Sequence, residues 1–398
     1  MKIHTLQDFY ATMAATRQIR KVNVTQYMNG KTISGADIQA LKNLLADLES
    51  IEKENNSYIL QIDDEKTINV ELDYEINELK RDLLFLEKGE KALQTHLDNM
   101  HEHFNEQVEQ GTAFLKSGKI RNLITDRDGT INNYCGRYRS SIQSLYNAVY
   151  LTRYAHKQTE NSIILTSAPL QKPGLADVST TPDQDFIYAA SKGREFMHNG
   201  KRHQLAIKPE KEAKLKELNR ALDEILKRPG YEKFGLIGSG IQHKFGQTTI
   251  ARQDVSQSVP EDESRQFLTT IRQVVKKVDP KEAFFRIEDT GKDIEIILTV
   301  DDDNGDARDF DKGDGVLYLN EALNLNIEKG GNLVCGDTHS DVAMVKKVAE
   351  QSKEISVIFV TEDEKLKNEV QKYVSTNQCL FVSVPDILVS ILNRMARH

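Results

Sequence analysis

The sequence has no tryptophan and only three cysteines in 398 residues. Cys135, Cys335 and Cys379 are odd in number and far apart. That excludes a disulfide frame and a thiolate zinc site, and it predicts reduced thiols in a cytoplasmic protein. No apolar run approaches the roughly 20 residues that a bilayer-spanning helix needs. The opening Met1-Lys2-Ile3-His4-Thr5 lacks the apolar core of a secretory leader. Positive charge is in the minority, with 53 Lys and Arg against 61 Asp and Glu and a net charge of −8. This balance argues against nucleic acid or an anionic membrane as the main partner. The apolar share, 38%, is low for one compact domain. At this length it suits two or three smaller ones with charged helical surfaces.

What is present centres on Ile120-Arg121-Asn122-Leu123-Ile124-Thr125-Asp126-Arg127-Asp128-Gly129-Thr130. The apolar, β-branched run predicts a buried strand. Ligands of open α/β sheets sit beyond the carboxyl ends of such strands. Alternation puts Asp126 and Asp128 on one side, and Gly129 permits a sharp turn behind them. An exposed acidic turn is the bland reading. Asp-x-Asp-Gly-Thr directly after an apolar strand favours a functional one.

This stretch resembles the first motif of the haloacid dehalogenase-like phosphatases. The resemblance implies that Asp126 is the nucleophile and Asp128 the general acid and base. It also directs attention to three further segments. Asn161-Ser162-Ile163-Ile164-Leu165-Thr166 is a second apolar strand, and Thr166 matches the hydroxyl that donates to phosphate in the second motif. Lys312, in Asp311-Lys312-Gly313-Asp314, matches the lysine of the third. Gly336-Asp337 through Asp341, after the apolar Asn332-Leu333-Val334-Cys335, matches the fourth, which holds the metal. Four carboxylates brought together repel one another, and a hard divalent cation relieves this. Mg²⁺ suits such a set with few carboxylates, waters and a phosphate. The resemblance implies Asp126, Asp337 and the backbone carbonyl of Asp128 as direct ligands and Asp341 as a supporting acid.

The flanking regions divide the chain. Residues 1–118 show helical spacing, with Ser34 as a predicted N-cap before Ile38, Leu41, Leu45 and Leu48. They predict an N-terminal helical bundle that packs, docks a protein partner or self-associates. Removing residues 1–115 is expected to leave activity intact. Residues 119–184 and 301–398 alternate strand and helix and predict the catalytic core. Residues 185–300 predict an α+β cap, with helices near 210–227 and 261–278 and strands at 234–237, 248–251 and 293–298. The acidic run Asp301-Asp302-Asp303-Asn304-Gly305-Asp306 fails the EF-hand register and predicts a solvated hinge.

The long interval lies between Thr166 and Lys312 and the short one between Lys312 and Asp337, so the cap falls between the second and third motifs. The fold class is therefore α/β, a Rossmann-like haloacid dehalogenase core with that inserted cap and an N-terminal helical bundle. Within the superfamily the chain resembles the trehalose-6-phosphate phosphatase family, in the branch typified by nematode enzymes. Asp177-Val178-Ser179-Thr180, Gly193-Arg194-Glu195-Phe196, Ile237-Gly238-Ser239-Gly240-Ile241-Gln242, Gln253-Asp254-Val255 and Lys312-Gly313-Asp314-Gly315 carry this resemblance. Phe196 stands where the family often has tryptophan. The branch also has an N-terminal helical domain, which residues 1–118 fit. The resemblance implies Mg²⁺-dependent hydrolysis of a small-molecule sugar phosphate, trehalose 6-phosphate, through an aspartyl-phosphate. Arg194, Glu195, Gln242, Lys244 and Glu295 are candidates for reading the sugars, since charged and amide groups make the stronger hydrogen bonds. Two alternatives stay open: a phosphatase or phosphomutase for another sugar phosphate, and a scaffold protein with an inactive phosphatase domain.

Overall fold

The structure, a computed structural model, describes residues 3–54, 57–62, 67–116, 118–254, 257–301 and 307–397. The N-terminal unit begins with helices α1 (Leu6–Met28) and α2 (Gly35–Glu49). Ser34 caps α2 as predicted, accepting from the Asp37 amide at 3.0 Å. The unit is not helical throughout. Strands β1 (Lys53–Glu54), β2 (Ser57–Gln61) and β3 (Thr67–Val70) form a small antiparallel sheet. Tyr58 and Leu60 on β2, with Ile68 and Val70 on β3, are its buried alternating positions, a period of two that the surrounding helical pattern hides. Helices α3 (Asp73–Met100, broken at Gly89) and α4 (Phe104–Leu115) complete the unit.

The core follows with β4 (Asn122–Thr125), α5 (Leu145–Gln158), β5 (Asn161–Leu165), α6 (Leu175–Val178), β6 (Ile187–Ala190), β7 (Glu195–His198) and β8 (Lys201–Gln204). The cap then supplies α7 (Pro209–Leu226), β9 (Ile241–Lys244), β10 (Gln247–Ala251), α8 (Glu261–Val278), β11 (Phe285–Asp289) and β12 (Asp293–Leu298). The chain returns through the short pair β13 (Val300–Asp301) and β14 (Ala307–Arg308) to α9 (Lys312–Leu323), β15 (Asn332–Gly336), α10 (His339–Gln351), β16 (Ile355–Val360), α11 (Glu364–Val370), β17 (Cys379–Val382) and α12 (Pro385–Met395).

The central sheet has eight strands in the order β17-β16-β15-β4-β5-β6-β7-β8. It is parallel from β17 to β6, and β7 and β8 add antiparallel at the edge. Residues 187–204, assigned above to the cap, therefore extend the core sheet. Tyr188 pairs with Met197 and Glu195 with Gln204, and these non-local ladders leave no periodic trace of which sheet they join. The cap's own sheet runs β11-β12-β10-β9. Phe234-Gly235-Leu236-Ile237 is not one of its strands. Residues 232–235 form a 3₁₀ turn that stacks the Phe234 ring on Phe267 at 3.7 Å. Of the predicted acidic hinge, residues 302–306 lie outside the described residues. Asp301 itself accepts from Lys208 at 2.6 Å and Lys211 at 2.9 Å.

Strand order reverses between β15 and β4, so the chain crosses to opposite sides of the sheet there. The carboxyl ends of these two strands make the crevice in which α/β ligands bind. One sheet face packs on α9 and α10 through Val316, Leu319, Val342 and Val345. The other packs on α5, α12 and the N-terminal helices, with Phe85, Leu97 and Phe104 in one apolar cluster with Tyr150, Ile387 and Leu392. A further cluster joins Leu6, Phe9, Leu60 and Leu79 to Ile142 and Val178 of the core and to Leu218, Phe267 and Ile294 of the cap. The N-terminal unit is thus packed against both the core and the cap. Among the described residues, no helix is long and apolar enough to cross a membrane. All three cysteines are buried free thiols.

Candidate active site

β4 delivers Asp126 to the crevice, and the Asp126 amide donates to the Cys335 carbonyl of β15 at 3.0 Å. β15 delivers Asp337 opposite it. Gly129, at φ +86°, turns the chain between them, and a Cβ there would lie 2.2 Å from an Asp337 carboxylate oxygen. The Thr130 hydroxyl bonds Asp337 Oδ1 at 2.9 Å. Asp341 sits in the first turn of α10 and closes a capping box. Its Oδ2 accepts from the Asp337 amide at 3.1 Å and from the Thr338 amide and hydroxyl, both at 2.9 Å. Its Oδ1 accepts from the Lys312 ammonium at 2.5 Å, and the same ammonium donates to Asp126 Oδ1 at 2.6 Å. Lys312 opens α9 behind the Asp311–Asp314 capping box, so two capped helices set the lysine and Asp341, while β4 sets Asp126.

Among the described residues, Asp126, Asp337 and Asp341 each bring a carboxylate oxygen to within 4.8 Å of the others. Burial raises the Asp126 carboxyl to about 7, with Lys312 opposing and Asp341 adding to the rise. Burial and the neighbouring Asp126 and Asp341 raise Asp337 to about 8. Burial alone would raise Asp341, but Lys312 and its backbone donors hold it below its ordinary value. One lysine therefore leaves this set over-negative. A hard cation with oxygen ligands fits the donor chemistry, and the raised carboxyls show what its charge would relieve.

Asp128 lies on the cleft side of the same turn. Its Oδ1 accepts from Arg127 and, at 3.2 Å, from the Ser141 hydroxyl. Thr166 follows β5 and is buried against the cleft, with its amide bonded to Ala189 at 2.9 Å. A cleft of about 280 Å³ brings Asp126, Asp128, Thr166, Lys312 and Asp337 opposite the cap sheet.

That sheet has two faces. Ile250, Ile294 and Ile296 are buried with Leu218, Phe267 and Ile271 of α7 and α8. The alternate positions face the cleft: Gln242 and Lys244 on β9, Thr249 on β10, Asp293 and Glu295 on β12. Thr249 pairs with both Gln242 and Glu295, so these three stand abreast. Burial lowers the Lys244 ammonium and Glu295 opposes this. Among the described residues no hydrogen bond or ion pair holds that ammonium. Gln242, Lys244 and Glu295 were expected here. Thr249, Asp293 and Ser239 were not, although Asp293 stands two residues before Glu295 on the same face. Ser239 bonds Asp293 at 2.5 Å. Tyr134, from a core loop, is 66% exposed and also lines the cleft. No sequence signal marks it.

Arg194 and Glu195 do not reach the cleft. Arg194 leaves the core to bond the Gly246 carbonyl and, at 2.9 Å, the Leu298 carbonyl, and it stacks on Phe310. Burial pushes its guanidinium down to about 10. A Cβ on Gly246 would lie 1.9 Å from Arg194 Nη1. Arg194 is thus a strut between core and cap. Glu195 accepts from Ser191 at 2.8 Å, the Leu170 amide at 3.3 Å and Arg202 at 2.6 Å. Charge in a strand beside a cap does not say which way the strand faces, and here both side chains are spent inside the protein.

A family model described as the trehalose-6-phosphate phosphatase C-terminal region matches residues 123–388. A second, the trehalose-6-phosphate phosphatase N-terminal helical bundle domain, matches residues 5–104. The chain is 32% identical to Caenorhabditis elegans alpha,alpha-trehalose-phosphate synthase (UDP-forming) 2, over 98% of this chain and 33% of that protein. It is 28% identical to a trehalose-phosphatase of Brugia malayi, over 99% of this chain and 86% of that one. It is also 28% identical to a trehalose-phosphatase of Caenorhabditis elegans, over 96% and 94%. The chain spans about a third of the length of the synthase relatives and most of the length of the phosphatases.

Proposed function

The chain belongs to the trehalose-6-phosphate phosphatase family, and from that membership we propose that it hydrolyses trehalose 6-phosphate to trehalose and phosphate. One observation carries this reading. The cleft sets an aspartate–lysine cluster suited to phosphoryl transfer against a cap face of amide, hydroxyl, carboxylate and ammonium groups suited to a sugar.

In this reading Asp126 attacks phosphorus and forms an aspartyl-phosphate. Asp128 protonates the departing sugar oxygen, then takes a proton from the water that cleaves the intermediate. Lys312 and Thr166 hold the phosphoryl oxygens while charge shifts among them. Asp341 keeps Lys312 aimed between itself and Asp126. Asp126, Asp337 and the Asp128 carbonyl would hold a divalent cation, Mg²⁺ by donor type, with Asp341 supporting. Such an ion supplies charge stabilisation at the transferring phosphoryl group. Gln242, Lys244 and Glu295 bind the sugars.

The test is phosphate release from trehalose 6-phosphate, glucose 6-phosphate and sucrose 6-phosphate, with and without Mg²⁺. We expect turnover of trehalose 6-phosphate above the other two, lost in chelator and restored by Mg²⁺. Asp126→Asn keeps the shape of the side chain and removes its charge, and it should fold without detectable turnover. Equal rates on all three sugars, or full activity in chelator, would contradict the assignment.

A further inference from the structure

The N-terminal unit reaches the catalytic machinery through the first turns of α3. The Tyr74 hydroxyl donates to the Ile142 carbonyl at 3.0 Å and accepts from Asn132 Nδ2 at 3.0 Å. One residue on, Glu75 Oε1 accepts from Cys135 Sγ at 3.6 Å. One turn on, Glu78 Oε1 accepts from Asn133 Nδ2 at 3.1 Å. Three residues of one helix thus grip three residues of a single core loop, and that loop continues as the Tyr134–Gly136 wall of the cleft. Behind the wall lies a cavity of about 200 Å³ between this part of the N-terminal unit, the loop and Gly238 and Asp254 of the cap.

Asn132 is the link inward. Its backbone bridges to Asp128, and its carbonyl accepts from the Gly129 amide at 2.8 Å. Its side-chain nitrogen lies 3.3 Å from the Ser141 hydroxyl, which donates to Asp128 Oδ1 at 3.2 Å. Arg127 bonds that same Oδ1 and lies 3.0 Å from Ser141 Oγ. These donors fix one oxygen of a carboxyl whose side chain is 22% exposed at the cleft. Among the described residues nothing bonds the other oxygen, so it is the one free to meet a leaving group.

We propose that Tyr74 is a positioning residue, through which the N-terminal unit sets the orientation of the Asp128 carboxyl by way of Asn132 and Ser141. This rests on the reading of Asp128 as proton donor. Without the Tyr74 hydroxyl, Asn132 loses its outer anchor, and the carboxyl loses its fixed angle at the moment of proton transfer. Binding of the sugar does not pass through this chain of bonds.

The test is Tyr74→Phe in the full chain, assayed with Mg²⁺ on trehalose 6-phosphate and, for the first turnover, on p-nitrophenyl phosphate. The phenolate of the second substrate leaves without a proton. We expect kcat on the sugar substrate to fall roughly tenfold with KM within about twofold, while release of the first phenolate changes less than about twofold. Ser141→Ala, which cuts the same chain from inside the core, should reproduce the pattern and stands in if Tyr74→Phe does not fold. Wild-type turnover in both variants, or an equal fall on both substrates, overturns the proposal. Asp128→Asn measured alongside separates the two ideas. Full sugar turnover in that variant would reject Asp128 as the donor, whereas its inactivity beside an unaffected Tyr74→Phe would reject the positioning role alone.

Discussion

Lys244 and Glu195 show at the scale of one residue how little a charge says until its surroundings are known. Lys244 faces the cleft and its ammonium has no partner among the described residues. Lys244→Ala should remove a charge-assisted hydrogen bond worth roughly 1.5–3 kcal/mol. That is a fall of about 10- to 150-fold in kcat/KM for trehalose 6-phosphate, with p-nitrophenyl phosphate hydrolysis little changed. Glu195 is buried among three donors, so Glu195→Ala should lower both activities together as the edge of the sheet loosens. Measuring the ratio of the two activities in each variant decides between these roles.

Glu75 is a different residue-scale case. It is buried with one carboxyl oxygen unpartnered, and burial raises it from 4.5 to about 7. The folded protein therefore binds this proton more tightly than the unfolded chain. The associated stability is full below about pH 4.5 and is lost as pH rises through 7. Glu75→Gln has no such proton. Thermal unfolding across pH should show the variant gaining on the wild type between pH 5 and pH 8, and a constant difference would mean that Glu75 does not titrate in this window.

At the scale of the element, α5 depends on a residue outside itself. Ser144 at its start makes no side-chain cap. Asp82 of α3 takes that place, accepting from the Leu145 amide at 2.7 Å and the Tyr146 amide at 3.2 Å. The same carboxylate pairs with Arg20 of α1 at 2.6 Å, with neither side chain exposed to solvent. One aspartate thus ties α1, α3 and α5. Asp82→Ala would leave the Arg20 charge buried and uncapped amides at α5, a loss of about 3–5 kcal/mol. Urea unfolding measures this directly. A loss below about 1 kcal/mol, the size of an exposed pair, would mean that water reaches the site.

The whole molecule behaves as one packed body. α4 lies so close on α12 that a Cβ at Gly111 would overlap the Ile391 side chain. Deleting residues 1–115 would uncover the apolar flank of α5 and α12, including Tyr150, Ile387 and Leu392. It would also take away Asp82 and Tyr74. This packing argues against the expectation from sequence that residues 116–398 keep their activity alone. The truncated chain should bind a hydrophobic dye, lack a cooperative thermal transition and release no phosphate. A soluble, cooperatively folding and active truncation would show that the interface is dispensable.

The convergence of Asp126, Asp337, Asp341 and Lys312 was legible in the sequence because each part of it is local. Buried strands followed at once by Asp126, Thr166 and Asp337 place these residues at one edge of a parallel sheet wherever such strands are assembled. Capping boxes of four residues, Asp311–Asp314 and Thr338–Asp341, set Lys312 and Asp341 in the first turns of their helices. The helical spacing of α2 and the alternation along β12 were legible for the same reason. What the tertiary structure alone decided is non-local. Residues 187–204 join the core because their ladder partners lie there. Arg194 and Glu195 turn inward because the carbonyls and amides that satisfy them come from other segments. The N-terminal unit packs as one body with the core because Asp82 and Tyr74 find their partners only in the fold. The sign and spacing of a charge travel with the chain, whereas its burial and its partners are properties of the packed molecule.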